Sequence, residues 1–261
     1  MDRVDEQLLE HPRAPDRNRR RYAVGFARSA GEIRAAQELR WQVFAGELGA
    51  RLSSREQGVD RDIFDDFCKH LVVREEATGL TVGTYRVLAP SAARRVGCYY
   101  AESEFDLTRL QLLRPSLVEV GRSCIHPEHR SGAVIALLWA GLARYMLAGG
   151  HRFLAGCASM GIADGGHAAA SVFERMRARH YAPLEYQVLP RHGLPLEALD
   201  ATRDAEAPAL IHGYLRAGAW VCSAPALDPE FNTADFFLLL PMARLSARHA
   251  RHFIGRELAL D

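Results

Sequence analysis

VEVGRSCIHPEHRSGAVIALLWAGLARYML, from Val118 to Leu147, is the stretch on which the fold turns. It reads as an apolar strand from Leu117 to His126, a tight basic loop at Pro127–Gly132, and a helix running to about Ala148. Gly149-Gly150 ends that helix. A helix that starts just after such a loop offers free backbone N–H groups and a positive dipole end, which together suit a phosphate or pyrophosphate. Glu119 and Arg122 are charged residues in an otherwise apolar strand. Buried charge is costly unless it is paired or used. In a regular strand these two side chains point to opposite faces. If both serve one pocket the strand must bulge between them, and Gly121 is the natural place.

Outward from this core, residues 1–20 carry Pro12, Pro15 and many charges, and are predicted to be a disordered basic tail. Residues 21–261 are read as a single domain. RYAVGFA, from Arg21, alternates like a first strand. Ser29 and Glu32 match a capping box for a helix to about Leu48, with Ile33, Ala36, Leu39 and Val43 on its apolar stripe. Residues 49–69 lack periodicity and hold Asp60, Asp62, Asp65 and Asp66, which predicts a long functional loop. HLVVRE and TVGTYRVLA predict a hairpin around Ala77-Thr78-Gly79. An extended piece is predicted at Gly97–Ala101 and a short helix at Leu107–Leu113. RFLAGCAS is apolar enough for a central strand. Asp164 is placed to cap a helix to about Arg179. A helix near Leu210–Ala217, strands near Trp220–Ser223 and Asp235–Leu240, and a basic helix from Met242 to Leu260 complete the chain. The fold class is α/β (mixed α+β): a central twisted mixed sheet with helices on both faces and a C-terminal elaboration.

Composition narrows the function classes. A net charge of +1 over 261 residues argues neither for nor against a polyanionic partner, and no nucleic-acid partner is expected. Arginines nevertheless gather at the ends: Arg13, Arg17, Arg19, Arg20 and Arg21, then Arg244, Arg248, Arg251 and Arg256. Such clusters favour acidic surfaces, whether anionic lipid, nucleic acid or an acidic carrier protein. The five cysteines show neither a disulfide framework nor zinc-ligand spacing, and no metal is expected. Cys124 and Cys157 read as small buried hydrophobes. The N-terminus lacks an apolar signal core, and AVIALLWAGLA and FFLLLPMA are too short to span a bilayer. The expected compartment is the cytoplasm, with peripheral contact at the inner membrane left open.

The order strand, helix, hairpin, strand, phosphate-type loop, helix, strand is that of the GNAT acyltransferase fold. LRWQVF (Leu39–Phe44), FDDFCKHLVV (Phe64–Val73), VGTYRVL (Val82–Leu88), YYAESEFDL (Tyr99–Leu107) and EVGRSCIHPEHRSGAVIALLW (Glu119–Trp139) resemble ornithine-lipid acyltransferases. GCASMGIADGG (Gly156–Gly166) and DPEFNTADFFLLLP (Asp228–Pro241) continue the resemblance. It implies transfer of a 3-hydroxyacyl chain from acyl carrier protein to the α-amine of L-ornithine, giving lyso-ornithine lipid, with a second acyltransferase acting downstream. No permanently bound cofactor is implied; the donor is the 3-hydroxyacyl-phosphopantetheine of the carrier protein. The chain also resembles acyl-homoserine lactone synthases, and an activity of that kind, or another long-chain N-acyl amino acid synthase, is the alternative. The pattern shared with these enzymes falls at Arg40, Phe44, Asp62, Asp65, Arg86, Glu119 and Arg122. The spacing of Arg130-Ser-Gly132-Ala departs from the common acyl-CoA loop, as a carrier-protein donor, which lacks the adenosine diphosphate, would tolerate.

Acyl transfer from a thioester to an amine requires that the two be held together, an ammonium proton be removed, and an oxyanion be stabilised. Glu119 is the candidate base, its pKa raised by desolvation in a strand. Arg40, Arg86 and Arg122 are candidates for an acceptor carboxylate, although Arg40 equally suits a solvated helix face. Asp62, Asp65 and Asp66 are candidates for a second ammonium, or are simply a solvated acidic loop. Backbone N–H groups of Ser123, Cys124 and Ile125 are the expected oxyanion donors. Arg130, Ser131, Gly132 and Ala133 are the expected phosphate cradle. Phe44, Trp41, Trp139 and Tyr99 are candidates to line an acyl tunnel. His126 and His129 read more readily as loop packing than as bases.

Overall fold

Ser29 opens the first helix as its spacing predicts. In the computed structural model, which describes residues 21–245, β1 (Tyr22–Phe26) leads into α1 (Ala30–Trp41). The Ser29 hydroxyl accepts the Glu32 N–H at 3.2 Å. Glu32 in turn accepts from the Arg28 N–H at 2.6 Å, one residue earlier than a regular capping box places it. The helix continues as one wide turn, Gln42–Glu47, in which the Leu48 N–H donates to the Val43 carbonyl. Single wide turns of this kind recur at functional sites.

After the long loop, β2 (Lys69–Glu75) and β3 (Thr81–Leu88) form the predicted hairpin. The extended piece expected at Gly97–Ala101 is not formed. Instead α2 (Pro90–Val96) starts on Pro90, whose fixed φ and missing N–H suit a first helical turn, and stops at Gly97 with φ +94°. Tyr100–Ser103 is a 3-10 turn before β4 (Phe105–Asp106), and Thr108–Ser116 is a longer one. Then come β5 (Leu117–Ile125), α3 (Ala133–Ala148), β6 (Phe153–Gly161) and α4 (His167–His180). Asp164 caps α4, accepting from the Gly166 and Ala168 N–H groups. β7 (Leu189–Pro190) pairs with β4; α5 (Ala209–Ala217), β8 (Trp220–Val221), β9 (Ala226–Asp228) and β10 (Thr233–Pro241) follow. Of the expected C-terminal helix only a turn at Met242–Arg244 is described. The rest of it, like the expected N-terminal tail, lies outside the described residues. No described helix is long and apolar enough to cross a membrane.

The main sheet runs β1-β2-β3-β5-β6-β10-β8, with β9 beside β10, and it is antiparallel except where β5 meets β6. One face packs Val118, Val120, Leu154 and Phe236 against α3, α4 and α5. The other buries Leu117, Ala155 and Phe237 beside α2, and Cys124 against Leu39 of α1 and Val43 of the wide turn that follows it.

Two irregularities of β5 place the site. Thr84 pairs with Cys124 but Arg86 pairs with Gly121, so Tyr85 alone faces the two residues Arg122 and Ser123. That is a β-bulge, and Arg122 takes φ +52° within it. Its effect is visible in the packing: Leu117 and Cys124 lie on the same face of the sheet, although one is odd and the other even. The predicted bulge therefore exists, one residue beyond Gly121. Secondly, β5 and β6 pair only from Leu117↔Phe153 to Glu119↔Ala155, then part. At the point of divergence a Cβ on Gly156 would meet the Val120 carbonyl oxygen at 2.3 Å. Gly156→Ala is expected to destabilise the protein by about 1–3 kcal/mol through this overpacking, as urea unfolding would measure. An unchanged midpoint would contradict so close an approach.

Candidate active site

The gap between the parted strands opens into a cavity of ≈ 500 Å³. Gly121, Arg122 and Ser123 of β5 line one side of it, and Cys157, Ser159 and Met160 of β6 the other. Glu119, Arg86 and Phe44 also face it. Glu119 and Arg122 thus share one cavity, and the bulge makes that possible.

The Glu119 carboxylate is buried at the closed end of the gap. The Tyr100 N–H donates to it at 2.6 Å and the Ala101 N–H at 2.8 Å. Burial pushes its pKa up, against these two donors and the more distant Arg86 charge, to about 7. No arginine bonds it directly among the described residues; Arg86 and Arg122 are engaged elsewhere.

Their engagement is with the acidic loop. Arg40 is fully buried rather than solvated: its Nε meets Asp60 at 2.8 Å, and its Nη2 meets Asp65 at 2.7 Å and the Asp60 carbonyl. Arg86 bonds Asp62 at 2.7 Å and Asp65 at 3.0 Å. Arg122 lies 3.2 Å from Asp60 and 3.6 Å from Asp62, donates to the Tyr100 hydroxyl at 3.1 Å, and is sandwiched between the Tyr100 and Phe231 rings. Burial raises the Asp65 carboxyl, but Arg40 and Arg86 together outweigh it and hold the group well below the usual carboxylate range. Three arginines and three aspartates make a nearly neutral, rigid block. Arg40, Asp60, Asp62 and Asp65 build this block behind the cavity wall, whereas Arg86 and Arg122 reach the wall itself. Asp66 is exposed and pairs with Arg61 at 2.8 Å.

Around the bulge, the His126 N–H donates to the Val82 carbonyl. Alternation then turns the Ile125 N–H the other way, towards the gap. Arg130 is committed to Glu47 through two bonds of 2.6 Å. Ser131, Gly132 and Ala133 are exposed at the start of α3, outside the lining of the main cavity. Of the four aromatic candidates only Phe44 reaches the cavity, edge-on to Phe231 at 5.6 Å. Trp139 packs on Tyr214, and the Tyr99 hydroxyl donates to the Leu117 carbonyl. His129 is buried against Tyr22, and His126 accepts from the Glu128 N–H; neither lines the cavity.

Sequence reasoning missed Tyr100, Phe231 and Asp235, and named Asp60 only as one acid of the functional loop, without a role of its own. Asp235 carries the signal that singled out Glu119, an acid at the head of an apolar strand. Cys157, read as packing alone, stands on the cavity wall beside it.

An acetyltransferase (GNAT) domain family matches residues 39–140. An L-ornithine N(alpha)-acyltransferase of Brucella abortus (strain 2308) is 35% identical over 88% of this chain and 88% of its own length. One from Rhodobacter capsulatus is 36% identical over 90% of this chain and 95% of its own. Among solved structures, the AHL synthase LasI superposes with a TM-score of 0.53 at 15% identity, covering 93% of this chain and 99% of that one. The fold is common to both.

Proposed function

Belonging as it does to the L-ornithine N(alpha)-acyltransferase family, the chain is an N-acyltransferase, and we propose that it joins a 3-hydroxyacyl chain from acyl carrier protein to the α-amine of L-ornithine. The observation that carries the reading is the parted pair β5 and β6, with a buried, proton-accepting Glu119 where they diverge. A pantetheine arm laid in the gap brings its thioester to Glu119 and to the outward-facing Ile125 N–H. The α-ammonium loses its proton to Glu119, and the neutral nitrogen attacks the thioester carbon. The oxyanion is met by backbone N–H groups of the segment Ser123–Ile125. Collapse forms the amide and expels the pantetheine thiolate, which takes up a proton. Arg122, fixed between two aromatic rings, presents its guanidinium to the acceptor's carboxylate.

The exposed backbone of Ser131–Ala133 at the α3 N-terminus is assigned to the donor's phosphate, with Arg130 locked to Glu47 as a fixed post beside it. The product keeps its 3-hydroxyl, so a second acyltransferase acting on that oxygen would consume it. Cytoplasmic placement rests on the cysteine spacing and the polar N-terminus, and peripheral contact to an anionic membrane on the arginine-rich termini, most of whose arginines lie outside the described residues.

Purified protein incubated with 3-hydroxyacyl carrier protein and a panel of amines is expected to give N-acyl-ornithine by mass spectrometry. Acylation of a homoserine derivative or a neutral amino acid in its place would redirect the acceptor. Turnover only with acyl-CoA would redirect the donor.

A further inference from the structure

If the acceptor is a diamino acid, its second ammonium needs a carboxylate of its own. The acids of the long loop do not supply one, because Asp60, Asp62 and Asp65 are all committed to Arg40, Arg86 and Arg122. The opposite end of the cavity differs. Asp228, at the end of β9, and Asp235, near the start of β10, both line the wall. Glu104 stands behind them, with ligand atoms of Glu104, Cys157 and Asp235 within 4.8 Å of one another.

Among the described residues no ion pair within 4.0 Å involves Glu104, Asp228 or Asp235, and Arg122, committed to Asp60 and Asp62, acts on Asp235 only from farther off. Both Glu104 carboxylate oxygens are closed off from solvent, with the Cys157 thiol as a polar neighbour and no cation to pair with. An uncompensated carboxylate in such a place is costly. Hydrogen bonds orient the two wall acids, the Ser159 hydroxyl adding to those on Asp235. Asp228 Oδ1 accepts from the Glu230 and Phe231 N–H groups at 2.8 and 3.1 Å, and Asp235 Oδ1 from the Thr233 hydroxyl at 2.7 Å.

The sheet register sets this cluster relative to the base. Glu119 pairs with Ala155, Cys157 with Phe237, and Asp235 with Ser159. Paired residues project from the same face of a sheet, as do alternate ones along a strand. Glu119 and Asp235 therefore stand on one face, with the cavity between them. An amino acid with its α-nitrogen at Glu119 extends its side chain along β6 towards Asp235.

We propose that Asp228 and Asp235, backed by Glu104, form a cation subsite that receives the side-chain ammonium of a diamino-acid acceptor and selects it over neutral amino acids. This rests on the reading of the cavity as an α-amine acyltransferase site. Crowding supports it: burial, with Asp235 and Asp228 nearby, pushes Glu104 up to about 9, and burial, with Asp228 adding to it against the Thr233 hydroxyl, takes Asp235 to about 6. An ammonium placed among them relieves that repulsion.

The test compares L-ornithine with L-norvaline, which has the same carbon chain but no side-chain amine, as acceptors for the full-length enzyme and 3-hydroxyacyl carrier protein. Wild type is expected to favour ornithine in kcat/KM by about a hundredfold or more, as expected where buried polar groups are left unpaired by the wrong substrate. In Asp235→Asn and Glu104→Gln the ratio is expected to collapse, with a higher KM for ornithine and better use of norvaline. Equal losses on both acceptors, or an unchanged ratio, would overturn the subsite while leaving ornithine as the acceptor. A wild type that acylates only neutral amines would overturn the acceptor reading instead. Activity abolished by a chelator and restored by a divalent metal would assign the cluster to a metal ion and not to an ammonium. Melting temperatures report folding. Glu104→Gln replaces a carboxyl that its neighbours hold protonated with a neutral amide of nearly the same shape, and is expected to melt no lower than wild type, so it carries the test should Asp235→Asn fail to fold.

Discussion

Glu119→Gln is expected to lower kcat at neutral pH by about a hundredfold or more, the usual contribution of a positioned general base. The pH dependence separates this from a merely structural loss. With a pKa of about 7, Glu119 is half ionised near neutrality. Turnover of the wild type should thus climb as pH rises through that value and level off above it. The variant's profile should be flat over the same range. Glu119 also anchors the turn at Tyr100 and Ala101 through both carboxylate oxygens. Were anchoring its sole role, the substitution would raise KM and leave the rise through pH 7 intact. Initial rates from pH 5.5 to 9, with circular dichroism to check folding, decide between the two.

Arg40→Ala is expected to be the most damaging single change to stability, at about 3–5 kcal/mol, because it leaves two buried aspartates facing each other without their shared cation. Asp65 has its carboxyl held well below the ordinary range in the native state, by Arg40 and Arg86 against the opposing effect of burial. A depressed folded-state pKa stabilises the native state above the unfolded-state pKa, and that contribution is lost as pH falls. The gap between wild type and variant should therefore be widest near neutrality and narrow below about pH 4, where carboxylates of the unfolded chain take up protons. Urea unfolding at both pH values measures it. A gap that grows on acidification would contradict the arrangement.

How far this could be read from the chain varies with the range of the interactions involved. β5, its loop and α3 follow from local signals: an apolar run, a Gly turn, an amphipathic period. The need for a bulge was legible from two charges at odd spacing, though its position at Arg122 was not, since bulges are fixed by the partner strand, here by Tyr85. Arg40 was undecidable because its burial depends on Asp60 and Asp65, loop residues twenty or more positions away. α2 was overlooked because PSAARRV is too short for a periodic signal; Pro90 and Gly97 bracket it. The acids at Asp228, Asp235 and Glu104 converge from three segments, and no local pattern joins them.

One consequence of the doubled position opposite Tyr85 concerns lineages of this enzyme. Strand β5 keeps Leu117 and Cys124 on one face of the sheet only by holding one surplus residue between them. Removing a single codon there, or adding one, would rotate everything from Cys124 onward by half a turn, exposing the wall and burying the groove. Point changes along this segment are survivable in principle; a shift in its count is not. Descendants that lengthen or shorten should do so in the loops on either side.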